Sequence, residues 1–122
     1  MLSWNILQGG GSRINDIIKS LMEINATIIG LSEFKNNNGG NALRYSLLRE
    51  GWIHQCTGHN NPENNTVFIA SKIPFELQLP ASDLSEFQDQ IIKARFPAFD
   101  FYQCYFPHKK EHKLFDILFE EL

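Results

Sequence analysis

The chain has 122 residues, 43% of them hydrophobic and 20% charged, with a formal net charge of −3. That length sets one domain with one modest core as the prior, and the composition is that of a water-soluble globular protein. The net acidity excludes polyanion binding by bulk charge and leaves a local basic patch as the alternative. Cys56 and Cys104 belong to no Cys-x-x-Cys and stand at no zinc-finger spacing from a histidine, so reduced, buried thiols in a cytoplasmic protein are expected. No basic leader precedes an apolar core, and no apolar run reaches the ~20 residues of a membrane helix, so neither a signal peptide nor a membrane segment is expected.

Leu2 to Leu7 reads as a short strand with an amide, Asn5, between Trp4 and Ile6, and it runs into Gly9-Gly10-Gly11. Arg13 to Glu23 has apolar residues at Ile14, Ile17, Ile18, Leu21 and Met22, the spacing of an amphipathic helix, with Ser12 placed to cap it. Ala26 to Leu31 is β-branched and apolar and reads as a buried strand, which completes a βαβ unit. Phe34 to Asn41 and Thr57 to Asn65 are rich in Asn and Gly and read as loops. Asn41 to Arg49 is expected to be a second helix. Trp52 to Thr57, Thr66 to Ser71, Glu76 to Leu79, Gln90 to Phe96 and Phe99 to Phe106 are successive strand candidates, with antiparallel pairing expected among them. Lys109 to Leu122 has a stripe of Leu114, Phe115, Leu118, Phe119 and Leu122, which predicts a final amphipathic helix.

The βαβ unit carries Asn5 and Glu33 to the carboxyl ends of neighbouring strands, where ligand sites of α/β sheets gather. Glu33 is a hard oxygen ligand suited to Mg²⁺, which takes one or two carboxylates together with waters and substrate phosphate. An Asn there can bind phosphate or orient a metal ligand without adding charge. Each residue has a structural alternative: Asn5 as a strand end with local hydrogen bonds, Glu33 as a solvated strand end or helix cap. The glycine run is no phosphate loop of the GxxxxGK[ST] kind, since no Lys-Ser or Lys-Thr follows it. The cluster Lys109, Lys110 and Lys113, with His108 and His112, reads either as a patch that steers a phosphodiester or as the solvated first turn of the last helix. His54, His59 and Trp52 are read as strand, loop and packing residues.

The words around these residues resemble the endonuclease/exonuclease/phosphatase superfamily, of the exonuclease III type. Trp4-Asn5 stands where that family's first strand ends, and Leu31-Ser32-Glu33 stands for its Leu-Gln-Glu, with Ser in place of Gln. "REGWIHQCTG", "NNTVFIASKIPF", "IIKARF" and "FYQCYFPHKKEHK" resemble later segments in the family's order, and Tyr105 falls on the tyrosine near the scissile phosphate. The resemblance implies an α+β fold with an α/β-type start, half of a four-layer α-β-β-α sandwich with a mixed β-sheet and flanking helices. It implies a metal-dependent phosphodiester or phosphomonoester hydrolase, most simply a nuclease. Glu33 would hold Mg²⁺ (or Mn²⁺), Asn5 and Tyr105 would act on the phosphate, and Lys109 and Lys110 would bind it.

The family's Gly-Asp-x-Asn motif and its C-terminal Asp-His pair have no counterpart here. The aspartates are Asp16, Asp83, Asp89, Asp100 and Asp116, and none is followed by His. Residues 1–122 are therefore expected to be the N-terminal portion of such a domain, inactive alone; the alternative is a non-catalytic binding module derived from that family. The substrate is left open among DNA, RNA, phospholipid and inositol phosphate. In the strand Thr66 to Ser71, Val67 and Ile69 should face one way and Phe68 and Ala70 the other. One face lies under helices; the other is expected to be bare in a half-domain and to drive self-association.

Overall fold

Helix α1 (Ile14–Ile24) shows how the apolar stripe is used: Ile17 and Leu21 are buried, and Ile14, Ile18 and Met22 pack beside them. The computed structural model describes residues 1–58, 61–78 and 91–104. Before α1 lies strand β1 (Leu2–Asn5), and after it come β2 (Ile28–Phe34), α2 (Asn38–Arg49), β3 (His54–Thr57), β4 (Thr66–Ser71), β5 (Glu76–Gln78), β6 (Ile91–Arg95) and β7 (Asp100–Cys104). The expected helix over 109–122, with Tyr105, Lys109 and Lys110, lies outside the described residues.

Two helix starts differ from expectation. No side chain caps α1, and Ser12 belongs to the preceding loop; the residue before the helix is Arg13, whose guanidinium turns back to the carbonyls of Ile6 and Leu7 at 2.9 and 3.0 Å. Helix α2 begins at Asn38 rather than Asn41, because the Asn37 side chain accepts a hydrogen bond from the Gly40 backbone N–H at 2.9 Å. An Asn at this position satisfies one of the orphan donors of the first turn. The stretch read as a loop thus contains a cap and the helix start it specifies.

Sheet one has the order β1-β2-β4-β3, with β1 and β2 parallel and the other pairs antiparallel, so it is mixed. Sheet two is antiparallel, with the order β5-β6-β7. Alternation along β2 and β4 sorts their side chains between two cores. Ile29, Leu31, Phe68 and Ala70 pack with Ile17, Leu21, Leu43 and Leu47 of the helices. Ile28, Val67 and Ile69 pack with Ile92, Ala94 and Phe96. The described residues therefore form three layers, helices on sheet one on sheet two, in an α+β architecture. The βαβ unit, with β1 and β2 adjacent, stands as the sequence implies.

The expectation of a bare inner face is overturned. The face carrying Val67 and Ile69 is covered by β6 and Phe96 of the same chain, because the chain contributes strands to both sheets rather than the whole of one. The argument for self-association through that face goes with it. Trp52 is packing, as read: it is 1% exposed, and its indole Nε1 donates to the Ala26 carbonyl at 2.7 Å. Cys56 and Cys104 are free and half-buried, and burial pushes their thiols up to about 12 and about 11, so both stay protonated at neutral pH. No described helix is long and apolar enough to cross a membrane.

The two sheets are in close contact at Gly30 of β2. A Cβ there would lie 2.1 Å from Gln103 Oε1 and 2.9 Å from the Phe101 ring. Gln103 is 2% exposed, and its Oε1 accepts from Ser3 Oγ at 3.0 Å, a link from β7 to β1. Gly30→Ala should overpack this contact and lower stability by about 1–3 kcal/mol. A urea unfolding midpoint indistinguishable from wild type would show that the sheets do not meet there.

Candidate active site at the strand rim

Three strand ends meet at one edge of sheet one. Strands β1 and β2 run in parallel, with Asn5 in register with Ser32, so their carboxyl ends lie side by side. Strand β4 runs the other way, so its first residue, Thr66, pairs with Phe34 at the end of β2. Asn65, one residue earlier, reaches the same rim.

Glu33 sits inside β2, not beyond it as the sequence suggested. Val67 pairs with Ser32 and Thr66 with Phe34, so Glu33 is an extra residue on a β-bulge, with φ 56°. Such bulges re-aim a side chain out of the sheet's alternation. A non-glycine residue in the left-handed region costs roughly 1–2 kcal/mol, and such strain gathers at functional sites. Glu33 as a residue is 8% exposed. Its Oε1 accepts from Gln8 Nε2 at 3.4 Å and from Asn65 Nδ2 at 3.3 Å. Both donors are neutral amides at long distance, and among the described residues no cation pairs with Glu33. Both amide contacts fall on Oε1, and the carboxylate keeps its second oxygen at the rim.

Asn5 ends β1, and its Oδ1 accepts from the Leu7 backbone N–H at 2.9 Å. That bond turns the chain out of the strand, which is why an amide stands where a core strand would hold an apolar residue. Five successive left-handed residues follow: Leu7, Gln8, Gly9, Gly10 and Gly11, with φ 58°, 53°, 74°, 85° and 52°. Gly9 and Gly10 are buried, and the Arg13 hydrogen bonds to the Ile6 and Leu7 carbonyls hold the loop closed. The stem of Lys35 packs against Gly9, where a Cβ would lie 3.1 Å from its Cβ and Cγ. The loop returns the Gln8 side chain to Glu33.

Asn5 and Glu33 are thus on neighbouring strand ends, while Tyr105, Lys109 and Lys110 lie outside the described residues. Gln8 and Asn65 were not singled out from sequence. Gln8 stands three residues after Asn5, and Asn65 just before a fully apolar strand; both positions signal a rim only once the strand directions are known. Among the described residues no three His, Cys, Asp or Glu cluster. The donors on the rim are one carboxylate and neutral amide oxygens, hard ligands that suit Mg²⁺ or Mn²⁺ rather than a thiophilic metal.

Solved structures of similar shape share this arrangement of strands and helices. A 3'-5' exonuclease (NExo) from Neisseria meningitidis superposes with a TM-score of 0.73 at 21% identity, over 98% of this chain and 50% of that one. An AP endonuclease from Archaeoglobus fulgidus superposes with a TM-score of 0.66 at 23% identity, over 87% of this chain and 40% of that one. An endonuclease/exonuclease/phosphatase from Beutenbergia cavernae DSM 12333 gives a TM-score of 0.60 at 14% identity, over 86% of this chain and 37% of that one. The chain has the endonuclease/exonuclease/phosphatase fold. It spans half or less of the length of these proteins. No protein-family model and no curated protein matches it.

Within that fold the rim is built at the expense of backbone strain at Leu7, Gln8 and Glu33. The strain at Glu33 gives a sign test. In an ordinary strand Gly is less stable than Ala by roughly 0.5–1 kcal/mol. At a left-handed position the order reverses, so Glu33→Gly should be more stable than Glu33→Ala by about 1 kcal/mol. Thermal or urea unfolding of the two variants checks it; Glu33→Ala as the more stable would remove the bulge geometry.

Proposed function

We propose that residues 1–122 are the N-terminal, metal- and phosphate-facing portion of a nuclease-like phosphodiester hydrolase. The observation that carries this reading is Glu33: a carboxylate buried on a strained bulge, touched by neutral amides, at the rim where Asn5 also ends. A site of this kind is complete only with a cation. Glu33 would hold Mg²⁺ (or Mn²⁺), and the ion when bound supplies charge stabilisation at a phosphoryl oxygen.

The chain's own residues have distinct tasks. The Asn5 Oδ1 is engaged by the Leu7 N–H, so its NH₂ is the end that donates to phosphate. Gln8 and Asn65 hold Glu33 Oε1 and fix the carboxylate's orientation. Gly9 and Gly10 lie against Lys35, Ile14 and Ile17 and shape the loop, while Gly11 has open space where a Cβ would stand. Tyr105 donates its phenol to the phosphate, and Lys109 and Lys110 neutralise the neighbouring backbone charge. Nucleic acid is the favoured substrate class, since NExo from Neisseria is also known bound to a product DNA hairpin. Protonated, unpaired thiols agree with a reducing, cytoplasmic setting.

General-base chemistry is the missing part. No Asp in the sequence is followed by His, so nothing in the chain matches the pair that the resemblance assigns to activating the nucleophile. The chain should therefore bind the cation without turning over. Calorimetric titration of Mg²⁺ should show one site that Glu33→Gln abolishes, and nicked or abasic DNA should give no EDTA-sensitive product. Undiminished Mg²⁺ binding by Glu33→Gln would refute the site. EDTA-sensitive cleavage by the isolated chain, lost in Glu33→Ala, would refute the claim of inactivity.

A further inference from the structure

The Asn65 amide has one end engaged and the other end buried without a partner. Nδ2 donates to Glu33 Oε1 at 3.3 Å, while Oδ1 is buried and accepts no hydrogen bond among the described residues. Turning the amide over does not relieve this. It would set Oδ1 against the Glu33 carboxylate, acceptor to acceptor, so the hydrogen bond to Glu33 fixes which end is orphaned. A buried acceptor without a donor costs about 1–3 kcal/mol, and native proteins leave few of them. The two amide bonds to Glu33 both fall on Oε1, which leaves Oε2 unengaged among the described residues. An orphaned amide oxygen beside a carboxylate with one free oxygen is the donor pair that a hard divalent cation, or a water in its shell, would satisfy.

Resting on the proposal that Glu33 is a cation ligand, we infer that Asn65 is a further residue of that site. Its Nδ2 positions the carboxylate, and its Oδ1 is a second oxygen donor, direct or through a coordinated water. The sequence places it in a polar loop, and its role follows only from the antiparallel entry of β4 onto the rim. Asn65→Asp is the telling substitution, because it keeps the shape, removes the N–H donor and faces one carboxylate with another. Without a cation the two repel; with one they both coordinate.

The test uses the 122-residue chain and Mn²⁺ as the probe. Affinity is measured by calorimetry, and the thermal midpoint is measured in EDTA and in saturating Mn²⁺. Asn65→Ala should weaken Mn²⁺ about 10–100-fold, the usual effect of losing a residue that orients a metal ligand. Asn65→Asp should have a lower midpoint than wild type in EDTA and regain it in Mn²⁺, as linkage to binding requires. Equal midpoint losses in EDTA and Mn²⁺, with wild-type affinity, would make Asn65 a structural residue only and overturn the inference. Should Asn65→Ala fail to fold, the paired midpoints of Asn65→Asp decide alone. Glu33→Gln separates the two claims. Unchanged Mn²⁺ affinity in Glu33→Gln defeats the parent proposal, whereas loss there with both Asn65 variants unaffected defeats this inference alone.

Discussion

The extra residue in β2 at Glu33 is the constraint on which the rim depends. Phe34 must point to the helix side, where it is buried and stacks on Phe68 with ring centroids 4.8 Å apart. Ser32 and Thr66 are buried as well, and pairing with β4 continues on both sides of the bulge with the register shifted by one residue. The single unpaired residue between them is therefore forced out of alternation and into positive φ. Packing on both sides of the sheet, rather than any local preference of glutamate, holds the carboxylate where it is.

The loop after β1 meets the same requirement by a different route. Its left-handed run brings Gln8 back over the end of β2, and only three of its five residues are glycine. The non-glycine pair Leu7-Gln8 is held by the Asn5 side chain on one side and the Arg13 guanidinium on the other. Leu7 is exposed, so no burial rewards its conformation; the loop keeps the strain because the two clamps and the buried Gly9 and Gly10 over-determine it. Positive φ at Leu7, Gln8 and Glu33 gathers at this rim, whereas Asn25 at the other end of the sheet is the left-handed C-cap of α1, a residue type that tolerates that region.

Much of this was legible beforehand. The periodicity of Ile14 to Met22 and the β-branched run after it were enough for the βαβ unit, and alternation in Thr66 to Ser71 sorted Val67 and Ile69 from Phe68 and Ala70. Asn5 and Glu33 stood out because a polar residue beside a buried strand needs a reason. What alternation cannot reveal is which element covers a face: β6 covers Val67 and Ile69 across a long sequence separation, and no local pattern encodes that pairing. Composition likewise concealed the α2 start, since Asn37 is a cap and a loop residue by the same chemistry. Gln8 and Asn65 were hidden for a third reason. Their relevance depends on strand direction, and the antiparallel insertion of β4 between β2 and β3 brings Asn65 to Glu33.

The central claim is that the rim, and no other part of the described surface, holds one divalent cation on Glu33. Paramagnetic broadening of the ¹⁵N-labelled chain by substoichiometric Mn²⁺ addresses it directly. The account predicts that backbone amides of Gln8, Glu33 and Thr66, and the side-chain NH₂ signals of Gln8 and Asn65, broaden first, with the β6–β7 signals sharp. Broadening centred on Asp100 and its neighbours, or spread evenly over the acidic residues, would contradict it.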